Sequence, residues 1–411
     1  MRIYFLAQRV PFPPDRGDKI TTYNELRYLA AEHQVEVFCL ADGEDDLQNT
    51  AALRALSDQI HTVPLARARG RLRALLAMAT REPLTVAFFR EAALRDKIIE
   101  RFAKSPPDLI LVYSSSMAQY VEQFTNTPRL MQFAELDSRK WADYARLAPR
   151  PKRWIYGVES RRLLSYERKI ARSFSHSLVC TEEELREFER LVPGAPVTCI
   201  PNGVDSEYFA PSEGPKRGNH VIFTGVMDYF PNVDGISWFC KEVLPQIRSH
   251  VPDLRLTICG SRPVDQVTAL QSIPGVTVTG RVPDVRPYLD RADVAVVPLR
   301  IGKGIQNKVL EAMSMALPCV TTRTACMGIE AEEGRDLLVA DDPSEFAGHV
   351  VRLLADDAAR ERLGANARAT IKKRYGWAAP LAKLSRVIEL EAGGGRARPV
   401  PIDKGDRVSV V

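Results

Sequence analysis

The sequence lacks any apolar run of about 18 residues, the minimum length for a helix that spans a bilayer. It also lacks the pattern of a cleavable leader, because Met1 is followed at once by a strand-like segment, Arg2 to Ala7. Its seven cysteines are odd in number and never spaced as C-x-x-C, which argues against a disulfide framework or a zinc site. We therefore expect a cytoplasmic protein with buried free thiols.

What the sequence does have is length and an ordinary composition. With 411 residues, 45% of them hydrophobic and 27% charged, it suits two large globular domains. The net charge is only +5. No nucleic-acid-binding motif accompanies that charge, so no nucleic acid partner is expected.

Positive charge is concentrated between Arg139 and Arg172, where eleven Lys or Arg residues face three acidic ones. Trp141, Trp154 and three tyrosines lie in the same segment. One interpretation is peripheral contact with an anionic membrane at the inner face of the cytoplasmic membrane. The other is a solvated helix face above buried aromatic side chains.

Short apolar runs alternate with longer amphipathic stretches, the pattern of parallel strands joined by crossover helices. The 21–32 stretch shows the helical pattern, with Thr21 or Thr22 predicted as its N-cap. The apolar runs predict strands at 2–9, 35–40, 58–64, 108–113, 129–135 and 176–180, and again at 219–224, 254–259, 275–279, 292–297, 317–321 and 336–339.

The two series of strands are separated at Pro201–Asp205, where a proline and an Asn-Gly pair stop regular structure. This predicts two doubly wound, Rossmann-like domains with ligands in a cleft at the carboxyl ends of the strands. The predicted bounds are 1–200 for an acceptor domain and 201–375 for a donor domain, then a helix at 376–392 that packs back on the first domain and a flexible tail at 393–411.

The stretch from Pro298 to Met313 contains the strongest candidate residues for ligand binding. A strand ends at Pro298, glycines 302 and 304 relax the backbone, and a helix is predicted to start near Ile305. Such a turn presents N–H groups and the positive helix end to a phosphate. Nearby cations and a carboxylate that could hold a ribose would complete a nucleotide site: Arg300, Lys303, Lys308 and Glu311. The alternative is an ordinary loop with a surface glutamate.

The run from Lys308 to Val320 resembles the signature of glycosyltransferase family 4, a retaining family with the GT-B fold. Further similarity lies at Pro201–Asp205, Phe223–Gly225 and Gly280–Asp284. The closest resemblance is to the sugar transferases of PEP-CTERM exopolysaccharide clusters, carried by Asp228–Asn232, Gly304–Lys308 and Glu135–Trp141. It implies a UDP- or GDP-linked sugar donor, a glycan or lipid-linked acceptor, and no cofactor.

The resemblance also implies roles for individual donor-site residues. Glu311 would bind the ribose, and the main chain of Gly304, Ile305 and Gln306 would bind the diphosphate. Gly225 opens the second domain, and Arg281 and Val282 stand where the family meets the base.

Two departures from the family concern charge. Lys303 stands where many members carry a second glutamate, and the usual Arg and Lys pair after Gly225 is missing. Lys303, Lys308 and Arg300 are the cations that could replace that pair.

In the first domain, the family's glycine-rich turn matches the loop at 11–19. Gly17 allows close backbone approach, Arg16 and Lys19 could meet phosphate or an anionic acceptor, and Asp18 lies between them. A plain turn between a strand and a helix is the alternative.

No histidine stands where the family often has a catalytic one, and His176 is interpreted as structural. Asp137, after the strand at 129–133, is the chosen contact to the transferred sugar, with helix capping as its alternative. Lys303 and Lys308 are predicted to stabilise the departing diphosphate.

No metal site is expected, since no Asp-x-Asp pair stands at a strand end. Two rival functions stay open. A sugar-nucleotide 2-epimerase has the same fold but needs histidines and carboxylates around the sugar, whereas a noncatalytic nucleotide-sugar-binding protein would fit the replacement of an acid by Lys303.

Overall fold

The computed structural model of the chain describes residues 1–14, 16–57, 59–212, 218–302 and 304–393. Among the described residues, the chain divides into two compact units, one formed by Met1–Pro201 with residues 381–393, the other by Asn202–Pro380. Lys303 and all but the first residue of the predicted flexible tail lie outside the described residues. Across the described ranges, no helix is long and apolar enough to cross a membrane.

The first unit contains a seven-stranded parallel sheet in the order β3-β2-β1-β4-β5-β6-β7. Its strands are β1 Arg2–Ala7, β2 Gln34–Ala41, β3 Gln59–Pro64, β4 Leu109–Tyr113, β5 Arg129–Ala134, β6 His176–Val179 and β7 Val197–Cys199. Its helices are α1 Gly17–Ala30, α2 Glu44–Asn49, α3 Arg67–Ala77, α4 Leu84–Phe88, α5 Ala92–Lys104, α6 Asp137–Leu147, α7 Lys152–Ser173 and α8 Glu182–Leu191.

The second unit contains a six-stranded parallel sheet in the order β10-β9-β8-β11-β12-β13. Its strands are β8 His220–Thr224, β9 Arg255–Cys259, β10 Val276–Val278, β11 Val294–Val297, β12 Cys319–Thr321 and β13 Leu338–Val339. Its helices are α9 Phe230–Trp238, α10 Leu244–Arg248, α11 Asp265–Thr268, α12 Arg286–Asp290, α13 Asn307–Ser314, α14 Arg323–Cys326, α15 Pro343–Ala355 and α16 Asp357–Arg374, followed by α17 Ala378–Ala392.

Both sheets are doubly wound. Strand order reverses between β1 and β4 in the first unit and between β8 and β11 in the second, which defines a topological switch point in each. Helices cover both faces, so the central strands are buried along most of their length; Ile3 to Ala7 of β1 are fully buried. The carboxyl ends of β1, β4, β8 and β11 are therefore where polar residues can gather without disturbing the core.

All twelve predicted strands are present, within about two residues at each end. β7, which has only three residues and lies at the edge of the sheet, was not predicted. The predicted cap of the first helix was wrong. Helix α1 begins at Gly17, and the hydroxyls of Thr21 and Thr22 donate within the helix to the carbonyls of Gly17 and Asp18 (3.0 and 2.8 Å).

Helix α17 packs on the first unit through its C-terminal half. The Ser385 hydroxyl donates to the Tyr28 hydroxyl at 3.0 Å, and the Glu391 carboxylate lies 3.2 Å from Nδ1 of His176. The other ring nitrogen of His176 is 2.9 Å from the Thr198 hydroxyl. His176 thus links β6, β7 and α17, the structural role expected for it.

Candidate active site

Two glycine turns meet at the carboxyl edge of the second sheet. Gly225 follows β8 and Gly260 follows β9, with φ of 155° and 157°. The N–H of Gly225 donates to the carbonyl of Cys259 at 3.0 Å, and a Cβ on Gly260 would lie 1.6 Å from the carbonyl oxygen of Gly225. Only glycine at 260 permits this approach, which fixes the backbone after β8.

The side chain of Lys308 reaches the turn after β8. Its Nζ donates to Oδ1 of Asn232, whose Nδ2 in turn donates to the carbonyl of Val226 at 2.8 Å. The ammonium lies 4.9 Å from the centre of the Phe223 ring and 3.0 Å from the position that a Cβ on Gly225 would take. A positive charge therefore stands against the Gly225 turn, at the switch point of this sheet.

Glu311 lies one turn further along α13 and is half-buried, so the interpretation as a surface carboxylate was wrong. Burial raises the pKa of Glu311 to about 7, against the opposing effect of Lys308. Burial likewise lowers the pKa of Lys308 to about 7, against the effect of Glu311. Burial thus disfavours the charged forms of both Lys308 and Glu311. A bound ligand that pairs with them would stabilise those charged forms, as is common at functional sites.

The glycine-rich turn leads into α13 as predicted, but the helix begins at Asn307, two residues later than expected. Gly304 has φ of 69°, Ile305 is buried, and Gln306 is the N-cap residue. The first turn of a helix presents N–H groups that no carbonyl within the helix accepts. This turn and Lys308 therefore offer donors from the same short segment.

Arg300 is paired with Asp234. Its guanidinium donates to both carboxylate oxygens of Asp234 (2.5 and 3.0 Å) and lies 6.0 Å from the Trp238 ring centre. Its charge is already compensated, and Lys303 is outside the described residues. Of the three cations predicted for the diphosphate, Lys308 is the one the structure places at the glycine turn.

Arg281 and Val282 lie in the loop between β10 and α12, at the carboxyl end of an edge strand two strands away from β8. Arg281 is exposed and Val282 is half-buried against the core. Arg281 and Val282 thus lie at the same carboxyl edge of the sheet as Gly225, but further than Gly225 from the centre of the sheet.

The first unit gathers polar groups at its own switch point. Nε2 of Gln8, just after β1, donates to the hydroxyls of Ser114 and Ser116, just after β4 (3.1 and 2.7 Å). Ser114 has φ of 77°, a left-handed conformation that costs energy in a residue other than glycine.

Arg9 is the centre of a charged cluster at this edge. Its guanidinium donates to Asp18 (2.7 Å) and Asp42 (3.1 Å), and Arg16 lies 2.7 Å from the other oxygen of Asp18. Burial alone would raise the pKa of Asp18, but Arg9 and Arg16 outweigh it and hold that pKa below its usual value. Gly17, exposed, starts α1 beside this cluster.

Lys19 does not take the place predicted for it. It is buried, and its Nζ donates to Asp46 at 2.7 Å. The loop at 11–19 therefore contributes Arg16, Gly17 and Asp18 to the surface, whereas Lys19 anchors α1 to α2.

Asp137 is the first residue of α6 and lies near the same cluster. Burial raises its pKa, as does Asp18, while Lys140 and Arg9 oppose this. Leu136 is the N-cap residue, and the N–H of Ser138 donates to buried Glu167 at 3.2 Å. Glu167 thus caps the helix start, which removes the alternative that Asp137 is needed for that role.

Sequence reasoning missed Gln8, Arg9, Ser114, Ser116 and Asn232 as site residues. The first two were assigned to the end of the first strand. A signal existed, since polar residues directly follow two apolar strands at the predicted switch point.

Comparisons with known proteins address both units. Residues 20–203 match the family described as Glycosyl transferase 4-like domain, and residues 218–356 match Glycosyl transferases group 1. The chain is 27% identical over 202 residues to UDP-Gal:alpha-D-GlcNAc-diphosphoundecaprenol alpha-1,3-galactosyltransferase of Escherichia coli, covering 44% of this chain and 51% of that protein. The chain spans between 42% and 64% of the length of the curated relatives it matches.

Among solved structures, sucrose-phosphate synthase from Thermosynechococcus elongatus aligns over 95% of this chain and 98% of its own, with a TM-score of 0.72 at 18% identity. Anabaena HepE in complex with UDP aligns over 95% and 100%, with a TM-score of 0.67 at 14% identity. These likenesses confirm the predicted fold, two Rossmann-like α/β domains of the GT-B type.

Proposed function

We propose that this chain, which belongs to the glycosyltransferases with a 4-like and a group 1 domain, transfers a sugar from a nucleoside diphosphate sugar to a glycan or lipid-linked acceptor. The observation that carries the proposal is the position of Lys308 against the Gly225 turn. The Lys308 cation could bind the diphosphate of a nucleoside diphosphate. The Glu311 carboxylate, one helical turn away, could bind its ribose.

The donor's diphosphate would lie between the Gly225 turn and the turn from Gly304 to Gln306. Lys308 would neutralise the charge that develops as the diphosphate leaves, and the N–H groups at the start of α13 would donate hydrogen bonds to its oxygens. Lys308 would thus supply the charge that the missing Arg and Lys pair supplies in the family.

Glu311 would accept hydrogen bonds from the ribose hydroxyls. We favour uridine as the base, since the Escherichia coli relative is named for a UDP-sugar and the Anabaena structure holds UDP. Arg281 and Val282 would line the base at the edge of the same sheet.

Asp137 would contact the transferred sugar, and the Arg9 cluster with Arg16 and Gly17 would bind a phosphate or an anionic acceptor. The reaction would retain configuration, with the departing phosphate taking the acceptor proton on the same face. A lipid-linked acceptor is favoured because the Escherichia coli relative is named for a diphosphoundecaprenol substrate. Exopolysaccharide synthesis is favoured because the chain resembles the sugar transferases of PEP-CTERM exopolysaccharide clusters.

We propose that only part of the basic segment at 139–172 contacts the membrane. Several of its cations are held by protein groups, as in Arg139 with Glu187, Lys169 with Glu122, and Arg162 with the carbonyls of Ala77 and Met78. The rings of Trp141, Tyr144 and Tyr156 pack against one another in edge-on and tilted arrangements, whereas Trp154 is 63% exposed. The start of α7, at 152–154, is the part of this segment we propose to meet lipid.

Glu311→Ala should weaken donor binding by about 1.5 to 3 kcal/mol, because the ribose hydroxyls lose a charged acceptor. Calorimetric titration with UDP gives the dissociation constant. Glu361→Ala, which removes an exposed glutamate from α16, is the matched control and should bind as the unaltered chain does. An unchanged constant for the Glu311 variant would remove this residue from the site.

Chelation with EDTA should leave sugar transfer unaffected, because Lys308 and the start of α13 would do what a divalent ion does for a departing diphosphate. Transfer is measured before and after chelation, then with added magnesium or manganese. Activity that disappears on chelation and returns with either metal would contradict this.

A further inference from the structure

Helix α3 exposes an apolar face that the folded chain does not cover. Leu72, Leu75 and Leu76 are 57%, 67% and 63% exposed. Their spacing of three and four residues places them side by side on one face of the helix. No other helix in the described ranges exposes three large apolar side chains.

Arginines flank these leucines. Helix α3 carries four arginines and no acidic residue. Arg69 and Arg71, one on each side of the leucine face by helical spacing, are exposed, and neither forms an ion pair with any residue the structure describes. The face is therefore apolar along its centre and positive along its borders.

The opposite face of α3 holds the helix in place. Gly70 is buried, and a Cβ there would lie 2.8 Å from the carbonyl oxygen of Phe88 in α4. Arg73 donates to Glu91 at 2.9 Å, and Arg162 of α7 donates to the carbonyl of Ala77 at 2.8 Å. The helix is thus held by its inner face, and the three leucines take no part in these contacts.

We propose that the leucine face of α3, bordered by Arg69 and Arg71, docks on an anionic lipid bilayer. The leucines enter the boundary between headgroups and acyl chains, and the arginines meet anionic headgroups. A second copy of this chain is a poorer occupant, because a two-fold contact through this face would bring its arginines against each other. Nucleic acid would use the arginines but leave the leucines exposed.

Lipid binding by α3 is separate from the donor site. It rests on the proposed function only in its purpose, since docking on a bilayer would bring the enzyme to a lipid-linked acceptor. Binding to vesicles needs neither a sugar donor nor an acceptor. The two proposals can therefore fail separately.

The test is flotation of the full chain with phosphatidylcholine vesicles, with or without about one third phosphatidylglycerol. Two variants remove the proposed contacts: one carries Leu72→Ser, Leu75→Ser and Leu76→Ser, the other Arg69→Ser and Arg71→Ser. Matched controls remove exposed residues elsewhere in the first unit, with Leu47→Ser, Ile99→Ser and Leu390→Ser in one and Arg54→Ser and Arg186→Ser in the other.

The native chain should bind the anionic vesicles only, and each α3 variant should lose at least about tenfold in partition coefficient while both controls stay within about twofold. Binding should also fade as salt rises from about 0.1 M to about 1 M. Circular dichroism and UDP titration establish that each variant is folded; should the triple variant misfold, Leu75→Ser alone and the arginine variant still decide.

Equal binding to neutral vesicles, no binding to either, or α3 variants that bind as well as the controls would overturn the proposal. Light scattering measures the molar mass and so tests whether a second copy of the chain binds this face. A dimer that the leucine substitutions dissociate would overturn the lipid proposal and assign the face to self-association. Loss of sugar transfer with vesicle binding intact would count against the proposed function alone.

Discussion

Lys308→Met should weaken donor binding by about 3 kcal/mol, more than a hundredfold in dissociation constant. Methionine keeps the length and the packing over Phe223 but removes the charge that faces the Gly225 turn. Folding should not suffer, since burial already disfavours the charged form of Lys308 in the free protein. Titration with UDP gives the affinity, and the thermal midpoint of unfolding should stay the same or rise.

The pH dependence of binding supplies a second measure of this charge. Burial lowers the pKa of Lys308 to about 7, so above that pH the free protein must take up a proton to bind a diphosphate. Affinity should therefore fall as pH rises above about 7, by at most about tenfold per pH unit. In Lys308→Met this fall should be absent.

Lys373→Ala, which removes an exposed lysine from α16, is the control and should change neither affinity nor its pH dependence. Tight UDP binding by Lys308→Met would place the diphosphate elsewhere. So would an affinity that is as sensitive to alkaline pH in this variant as in the native chain.

Gly260→Ala should destabilise the second unit by about 4 kcal/mol and abolish donor binding. The added Cβ would lie 1.6 Å from the carbonyl oxygen of Gly225 and 2.7 Å from its carbon, both backbone atoms that no rotamer change can move. The turn after β8 would have to shift, and with it the contact to Lys308. Urea unfolding gives the loss of stability.

Gly334→Ala is the matched control for this variant. Gly334 also has a positive φ, 81°, but no heavy atom lies within 4 Å of the position that a Cβ would take. Its substitution should cost only the left-handed backbone strain, about 1 to 2 kcal/mol. Equal losses for the two variants would show that the close approach of Gly260 to Gly225 is not what stabilises the turn.

The fold could be predicted from sequence because most of its strands are apolar runs separated by longer amphipathic stretches. Every predicted strand is present. β7, the three-residue edge strand Val197–Cys199 just before the predicted domain boundary, was not predicted. The start of α1 was misplaced because Thr21 and Thr22 bond within the helix rather than at its end.

The site could be predicted only in part. Residue spacing predicted that Arg300, Lys303 and Lys308 lie near one turn. It did not predict which of these cations contacts the turn, because their hydrogen-bond partners are distant in sequence. Lys308 bonds to Asn232, 76 residues away, and Arg300 to Asp234, 66 away.

Lys19 shows the same limit in the first unit. Its partner Asp46 lies in a helix that follows the next strand. Side-chain partners of this kind depend on how helices pack, which local patterns do not encode.

The most direct test of sugar transfer is incubation of the purified chain with radiolabelled UDP-sugars and a bacterial lipid extract, followed by separation of nucleotide, lipid and glycan fractions. The label should move to the lipid or glycan fraction with release of UDP, and this should be lost in Glu311→Ala and Lys308→Met. Label that stays in the starting nucleotide sugar despite UDP binding, or that appears in a different nucleotide sugar, would contradict transfer and indicate a binding protein or an epimerase.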